Sequence, residues 1–383
     1  MKAHFLLREG ITFLNFGSFG ACPKPVFEAY QRYQRELEEE PVQFITKKGP
    51  ALLRKSREQL ANYLSCRSND LIFVPNPTHA VNLVVKSLDL KAGDEILTTN
   101  LEYGACDRTW EFYCEKANAH YVKTPITLPL TSSDYFIEEL RKGITKNTKM
   151  IFVSHITSAT ALILPVEKIS ALAREHNLKV FIDGAHVPGH IPLDINALNP
   201  DYYTGACHKW MMTPKGSSFL YVKEEWQAEL DPLIVSWGYK AEFPSDSQFF
   251  DYHQFNGTRD FSAYLTIPDA LKFCEDFHWD IKIDWCKELT KKWVVRLAKL
   301  LDKEPLAPVT SEFYGQMGSI PINCENPLEL KELLYEKYHI EIPIAVHNNQ
   351  VYIRFSINGF NTEADMEQLE QALIELKQQS NLS

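Results

Sequence analysis

A lysine and an aspartate about a helix and a strand apart carry the chemistry of this chain. Lys209 follows His208 in the run 201–210, and Asp183 ends the apolar run Val180, Phe181, Ile182 just before Gly184, Ala185 and His186. A lysine amine condenses with an aldehyde to a Schiff base, and a buried carboxylate keeps an aromatic ring nitrogen protonated. Together the two could hold an aromatic aldehyde at both ends and turn its ring into an electron sink. Pyridoxal phosphate (PLP) is the cofactor that requires this pair. Taken singly, each residue has a plainer reading: an edge lysine on a parallel sheet, and an aspartate capping the next helix.

Such a pair must be delivered by elements whose ends lie side by side. The sequence predicts strands at Leu71–Val74, Glu95–Thr99, His120–Lys123, Met150–His155, Lys179–Asp183, Tyr202–Gly205 and Ser218–Val222. Met150–Val153 and Val180–Ile182 are continuous apolar runs, as expected of strands covered on both faces. Between them, Val166, Ile169, Leu172 and Ala173 make one face of a helix over Val166–Asn177. Strand, helix, strand repeated in this way implies an α/β fold with a mostly parallel, doubly wound sheet that binds ligands at the carboxyl ends of its strands. Near residue 246 the rhythm changes. Helices are expected at Ser262–Phe277 and Ile283–Leu301, then mixed strands, then a final helix opened by Thr362 and Asp365 with Met366, Leu369, Leu373 and Leu376 inward. The expected division is a large unit over 16–245 and a smaller α+β unit over 246–383, joined by residues 1–15.

Bulk composition narrows the partners. The chain has 383 residues, 45% hydrophobic and 12% aromatic, enough for a large core. A formal charge of −10, with no Lys/Arg run, argues against nucleic acid. The first ten residues hold too short an apolar stretch for a signal peptide, and no segment approaches the roughly 20 apolar residues of a membrane span. The eight cysteines form no Cys-x-x-Cys pair and read as reduced thiols of a cytoplasmic protein. His186 and His190 have the i, i+4 spacing of a zinc pair, but Pro188 and Gly189 interrupt any helix there, so no metal site is expected.

With Ser154–Val166, Asp183–His186, the His208-Lys209 pair and Asn256–Asp260, the chain resembles fold type I PLP enzymes of the class V aminotransferase group, and within it the isopenicillin N epimerase-like proteins. The resemblance runs from Leu14–Ser18 to Tyr352–Asn358. It implies a seven-stranded large domain and a homodimer with shared active sites. By it, Lys209 carries the cofactor and is the catalytic residue. Thr78 and His79, opening a helix after Leu71–Val74, would bind phosphate at free backbone N–H groups; Thr78 is equally an ordinary helix cap. Tyr103 would stack on the ring, or simply pack. Asp183 would pair with the ring nitrogen and His186 would contact the ring hydroxyl or the substrate. Ser158 would stand near that hydroxyl, and His208 would reach the phosphate. Thr258 would donate to the phosphate of the neighbouring subunit, or form a plain polar turn. Arg354, with Gly17 and Ser18, would hold the substrate; a planar guanidinium suits an α-carboxylate. Its plainer reading is an edge-strand arginine. Two departures stand out. Ala206 replaces a common phosphate-binding Ser or Asn, and Ser158 stands where an Asn is frequent.

The bond held perpendicular to the ring selects the reaction. Cysteine desulfurases need a mobile cysteine before the carboxylate-binding arginine, and 342–351 contains none. The resemblance favours α-proton abstraction and return by Lys209, an epimerase or racemase. A C–S lyase or an aminotransferase uses the same lysine and stays open. A non-catalytic PLP-fold module is disfavoured by the intact Lys209, Asp183 and Arg354. A dinucleotide oxidoreductase lacks its Gly-x-Gly-x-x-Gly after any expected strand.

Overall fold

The computed structural model describes residues 1–245 and 247–379. Its central sheet is built from β1 (Leu71–Val74), β2 (Glu95–Thr99), β3 (His120–Thr124), β4 (Thr148–Ser154), β5 (Lys179–Gly184), β6 (Tyr202–Ala206) and β7 (Ser218–Val222). The spatial order is β1-β7-β6-β5-β4-β2-β3. Strands β6, β5, β4, β2 and β3 run parallel, while β7 is antiparallel to both β6 and β1. The expected mostly parallel, seven-stranded α/β sheet is therefore present.

Alternation along each strand explains why helices cover both faces. Leu97, Ile151, Val153 and Ile182 enter one apolar cluster, whereas Ile96, Phe152 and Phe181 enter the cluster on the other face with Trp110. The first cluster continues without a break into Trp293, Ile320, Ile353 and Leu373, beside a second, three-stranded antiparallel sheet. That sheet comprises β8 (Met317–Ile322), β9 (Ile344–His347) and β10 (Gln350–Ser356), with β10 central. Thr12–Phe13 pairs in parallel with Ile340–Glu341, which ties the amino-terminal segment to the carboxy-terminal part of the chain.

Local differences from the sequence reading have local causes. The helix expected over 262–277 is two helices, Ser262–Leu265 and Ile267–Asp276, broken at Thr266. Pro268 enters the second helix at its first turn, where its missing N–H is harmless, and this marks a new start rather than a continuation. The next helix begins at Trp279, not Ile283, directly after His278 adopts the left-handed conformation at φ 49°. The Val166 helix ends at Glu175, because Asn177 turns left-handed at φ 54°. The last helix, Glu363–Gln378, starts as expected, with Asp365 accepting the Thr362 N–H at 2.8 Å and Met366, Leu369, Leu373 and Leu376 buried. Among the described residues no helix is long and apolar enough to cross a membrane.

Candidate active site

The parallel register aligns the ends of β4, β5 and β6. Ser154 lies opposite Asp183, and Asp183 lies opposite Thr204. Lys209 follows β6 by three residues, in a tight turn that packs directly on the amino-terminal segment. Gly20, at φ +65°, approaches the carbonyls of His208 and Lys209 so closely that a Cβ there would collide with both. Chain pairing thus brings Lys209 and Asp183 to one rim, as the strand-end rule for α/β sheets requires.

Both charges are buried there. The Asp183 carboxylate accepts the Ala185 N–H at 3.0 Å and the Cys106 thiol at 3.5 Å, and among the described residues no cation is in contact with it. Burial pushes its pKa above the usual carboxylate value, against the pull of those hydrogen bonds and of the Lys209 charge. Burial likewise lowers Lys209 to about 8, partly countered by Asp183 and reinforced by Arg354. The Lys209 Nζ lies 3.3 Å from His186 Nε2. Burial, then the Lys209 and Arg354 charges, holds His186 well below its usual pKa, so its imidazole is neutral; its Nδ1 is buried without a partner. His190, the other half of the apparent metal pair, is a structural residue. Its Nδ1 meets the His186 carbonyl at 3.0 Å, its Nε2 accepts the Gln316 N–H at 2.5 Å, and its ring packs on Trp210.

Arg354 reaches the same rim from β10. One Nη donates to the Ser158 carbonyl at 2.5 Å and the other to Ser18 Oγ at 2.8 Å. Among the described residues its Nε has no partner, and desolvation lowers the group to about 10. Gly17 lets the amino-terminal segment lie against the same sheet: its N–H donates to Ser356 Oγ at 3.0 Å, and a Cβ would strike Met317. Tyr103, 47% exposed, lies within electrostatic range of Arg354. Ser158 therefore faces the arginine with its carbonyl, and its hydroxyl is 3.4 Å from the same Nη.

The helix Pro77–Ser87 is capped by Asn76, whose side chain accepts the His79 N–H at 2.9 Å, so the plainer capping role belongs to Asn76 and not to Thr78. The His79 imidazole is lowered by burial and by the nearby Arg259 charge. His208 is fixed by its Nδ1 contact to the Ser217 carbonyl at 2.8 Å and is lowered to about 4 by burial. Thr258 is not gathered with this group: it is exposed on the 256–260 turn. Two residues escaped the sequence reading. Cys106, on the helix after Tyr103, donates its thiol to Asp183. Glu102 is fully buried, accepts the Ser154 N–H at 2.6 Å and the Thr99 hydroxyl at 2.8 Å, and is raised to about 7 by burial. The signal for Glu102 was its place just past β2, at the ligand-binding edge. Nothing in the sequence marked Cys106.

These residues fit PLP. A buried carboxylate without a cation is strongly unfavourable unless a cation arrives or it takes up a proton, and a protonated ring nitrogen is such a cation. A buried amine at about 8 suits attachment to an aldehyde, and an unpaired guanidinium suits a substrate carboxylate. The comparisons agree. The chain matches the family described as Aminotransferase class-V over residues 20–369. It is 33% identical to an isopenicillin N epimerase of Amycolatopsis lactamdurans over 385 residues, covering 97% of this chain and 96% of that one. It is 26% identical to a putative L-cysteine desulfhydrase 1 of Oryza sativa subsp. japonica, covering 98% and 85%. The solved apo structure of a cysteine desulfurase from Thermococcus onnurineus NA1 superposes with a TM-score of 0.84 at 18% identity, covering 98% and 96%, which establishes the shared fold. The chain thus belongs to the class-V aminotransferase family of PLP-dependent enzymes.

Proposed function

We propose that the enzyme removes and returns the α-proton of an amino-acid-type substrate, as an epimerase or racemase. The observation that carries this reading is Lys209, a buried amine at about 8 beside the neutral His186. Such an amine is unprotonated in about a tenth of molecules at pH 7, far more than an ordinary lysine, and can take a proton from carbon. PLP, when bound, supplies the electron sink for the pair left at the α-carbon. Asp183 holds the proton on the ring nitrogen, and Arg354, oriented by Ser18 and Ser158, receives the α-carboxylate. Tyr103 would pack against the cofactor ring, and His208, Thr78 and His79 would hold its phosphate. Similarity to the epimerase of Amycolatopsis lactamdurans over nearly the whole chain supports the same reaction class. The reading includes a cytoplasmic homodimer in which the exposed Thr258 reaches the phosphate of the other subunit.

A C–S lyase is the second reading, favoured by the resemblance to the desulfhydrase of Oryza sativa. A desulfurase is disfavoured. The hairpin β9–β10 before Arg354 has no cysteine, and Cys106 at the Asp183 end is buried with its thiol pushed well above its usual pKa, which makes it a poor nucleophile. Proton NMR of the PLP-loaded enzyme in D₂O with L-amino acids and cysteine derivatives tests the proposal. Exchange of the α-proton with recovery of a D/L mixture is expected. Keto acid formed without exchanged substrate would move the assignment to lyase or aminotransferase.

A further inference from the structure

One backbone carbonyl joins two sides of the active site. The carbonyl of Asn100, on the loop between β2 and Tyr103, lies 2.6 Å from His347 Nε2 and 2.6 Å from Asn348 Nδ2. A carbonyl can only accept, so Nε2 of His347 carries the proton and both lone pairs of the oxygen are engaged. His347 and Asn348, 247 and 248 positions downstream, form the tip of the hairpin β9–β10.

Each partner is held rigidly on its own side. In the hairpin, His347 pairs with Gln350 across Asn348 and Asn349, which are left-handed at φ 49° and 61°, the backbone of a tight turn that asparagine tolerates. The ladder continues to Ile344 opposite Ile353, and the Arg354 N–H donates to the Pro343 carbonyl at 3.2 Å. The tip therefore cannot slide without moving Arg354. On the other side, Asn100 donates its N–H to the Thr124 carbonyl at 3.1 Å and accepts the Ile126 N–H on Oδ1 at 2.8 Å. Two residues on, Glu102 is held by the Thr99 hydroxyl and the Ser154 N–H, and Tyr103 follows directly. A hydrogen-bonded path thus runs from Arg354 through the hairpin tip to the loop that ends in Tyr103.

We propose that this clasp sets the separation of Arg354 from Tyr103, with His347 and Asn348 as positioning residues for a substrate carboxylate. This role rests on the reading that Arg354 receives the α-carboxylate and Tyr103 packs on the cofactor ring. Where the carboxylate is held relative to the ring decides which bond of the α-carbon stands perpendicular to it, and a shift of about 1 Å in such a geometry costs up to about 100-fold. The hairpin, which carries no cysteine, serves as a fixed spacer between the two groups.

Spectral titration of the PLP-loaded enzyme with L-norvaline and with butylamine, its decarboxylated counterpart, tests this beside hydrogen exchange of the PLP-free protein. Asn348→Gly keeps the turn and removes one donor, His347→Ala removes the other, and His347→Gln keeps a donor at similar reach. Wild type is expected to bind L-norvaline at least about 10-fold more tightly than butylamine. Asn348→Gly and His347→Ala should each weaken L-norvaline about 3-fold to 10-fold, leave butylamine within about twofold, and keep the Lys209-dependent absorbance. His347→Gln should restore L-norvaline to within about twofold of wild type. In Asn348→Gly and His347→Ala, amide exchange over residues 100–103 should quicken several-fold, although neither substitution lies there. Equal weakening of amino acid and amine, or unchanged exchange at 100–103, would overturn the proposal. If Arg354→Ala removes the preference for L-norvaline while both hairpin variants keep it, the reading of Arg354 stands and the clasp fails. If wild type shows no preference, or Arg354→Ala leaves it intact, that reading falls and the proposal with it.

Discussion

The two edges of the central sheet treat charge in opposite ways. At the amino-terminal edge a cavity of about 970 Å³ is ringed by Asp94, Lys149, Lys179 and Asp201, and each is satisfied within the chain. Lys149 pairs with Asp94 at 3.5 Å and Lys179 with Glu229 at 2.9 Å, the latter ammonium also lying over the Trp226 ring. Asp201 accepts the Val180 N–H at 2.7 Å and the Trp226 indole N–H at 2.6 Å. At the carboxyl edge, among the described residues, Asp183 has no cation, Arg354 no carboxylate and Lys209 no acid in contact. The amino-terminal hollow is the finished one. What distinguishes a working site here is the set of buried charges that the chain leaves for a ligand to complete, and not the volume enclosed.

This contrast can be tested from its strongest consequence downward. Lys209→Ala should lower turnover by about 10²–10⁴-fold, in the range of a lost general base, and abolish the cofactor absorbance that borohydride quenches; an unchanged spectrum would remove Lys209 as the attachment point. Asp183→Asn should separate stability from function. Removing an uncompensated buried carboxylate should raise the melting temperature of the PLP-free protein while turnover falls by about 10²-fold or more, and a parallel loss of both would mean the carboxylate is already satisfied. Arg354→Ala should raise KM for an amino acid far more than for its decarboxylated amine; equal effects would deny it a carboxylate role.

The next effect is one of pH. Glu102 has its folded pKa raised from 4.5 to about 7. A raised carboxylate binds its proton more tightly when folded, so its contribution to stability is complete below about pH 4.5 and is lost as pH rises through about 7. Denaturation of wild type against Glu102→Gln should show the variant gaining on wild type across that window, by up to about 3 kcal/mol, with no further change above it. A difference independent of pH would mean Glu102 is ionised throughout. Smallest is the control at the finished edge. Lys149→Ala should cost less than about 1 kcal/mol in denaturant unfolding, since Lys149 itself is exposed and its contact with Asp94 is long at 3.5 Å, and turnover should stay at the wild-type level.

Much of the carboxyl edge was legible beforehand for a definite reason. The seven strands announce themselves through apolar runs and β-branched residues, so the three that are also continuous with the site, β4, β5 and β6, were located within one or two residues. Asp183 and Lys209 then followed, because residues just past parallel strands must share one rim. Arg354 came from the resemblance, and the structure brings it to the same rim from more than 140 residues downstream. The start at Trp279 was missed because left-handed residues such as His278 carry no reliable signal, and the break at Thr266 because that residue keeps a right-handed backbone and only Pro268, in the first turn of the second helix, marks it. Cys106 was missed because its partner is 77 positions away, and no local pattern encodes such a meeting.

The sequence by itself determined which strands form, their period and the chemical types present at their ends, since these follow from local hydrophobic order and short-range backbone preference. Only the tertiary structure decided which charges meet a partner. Lys179 and Lys209 follow or begin neighbouring strands of similar composition, yet one rests against Glu229 while the other faces a neutral histidine. Whether a charge is compensated depends on what distant segments bring within about 4 Å of it, and Coulomb energy and desolvation are set by that distance and burial.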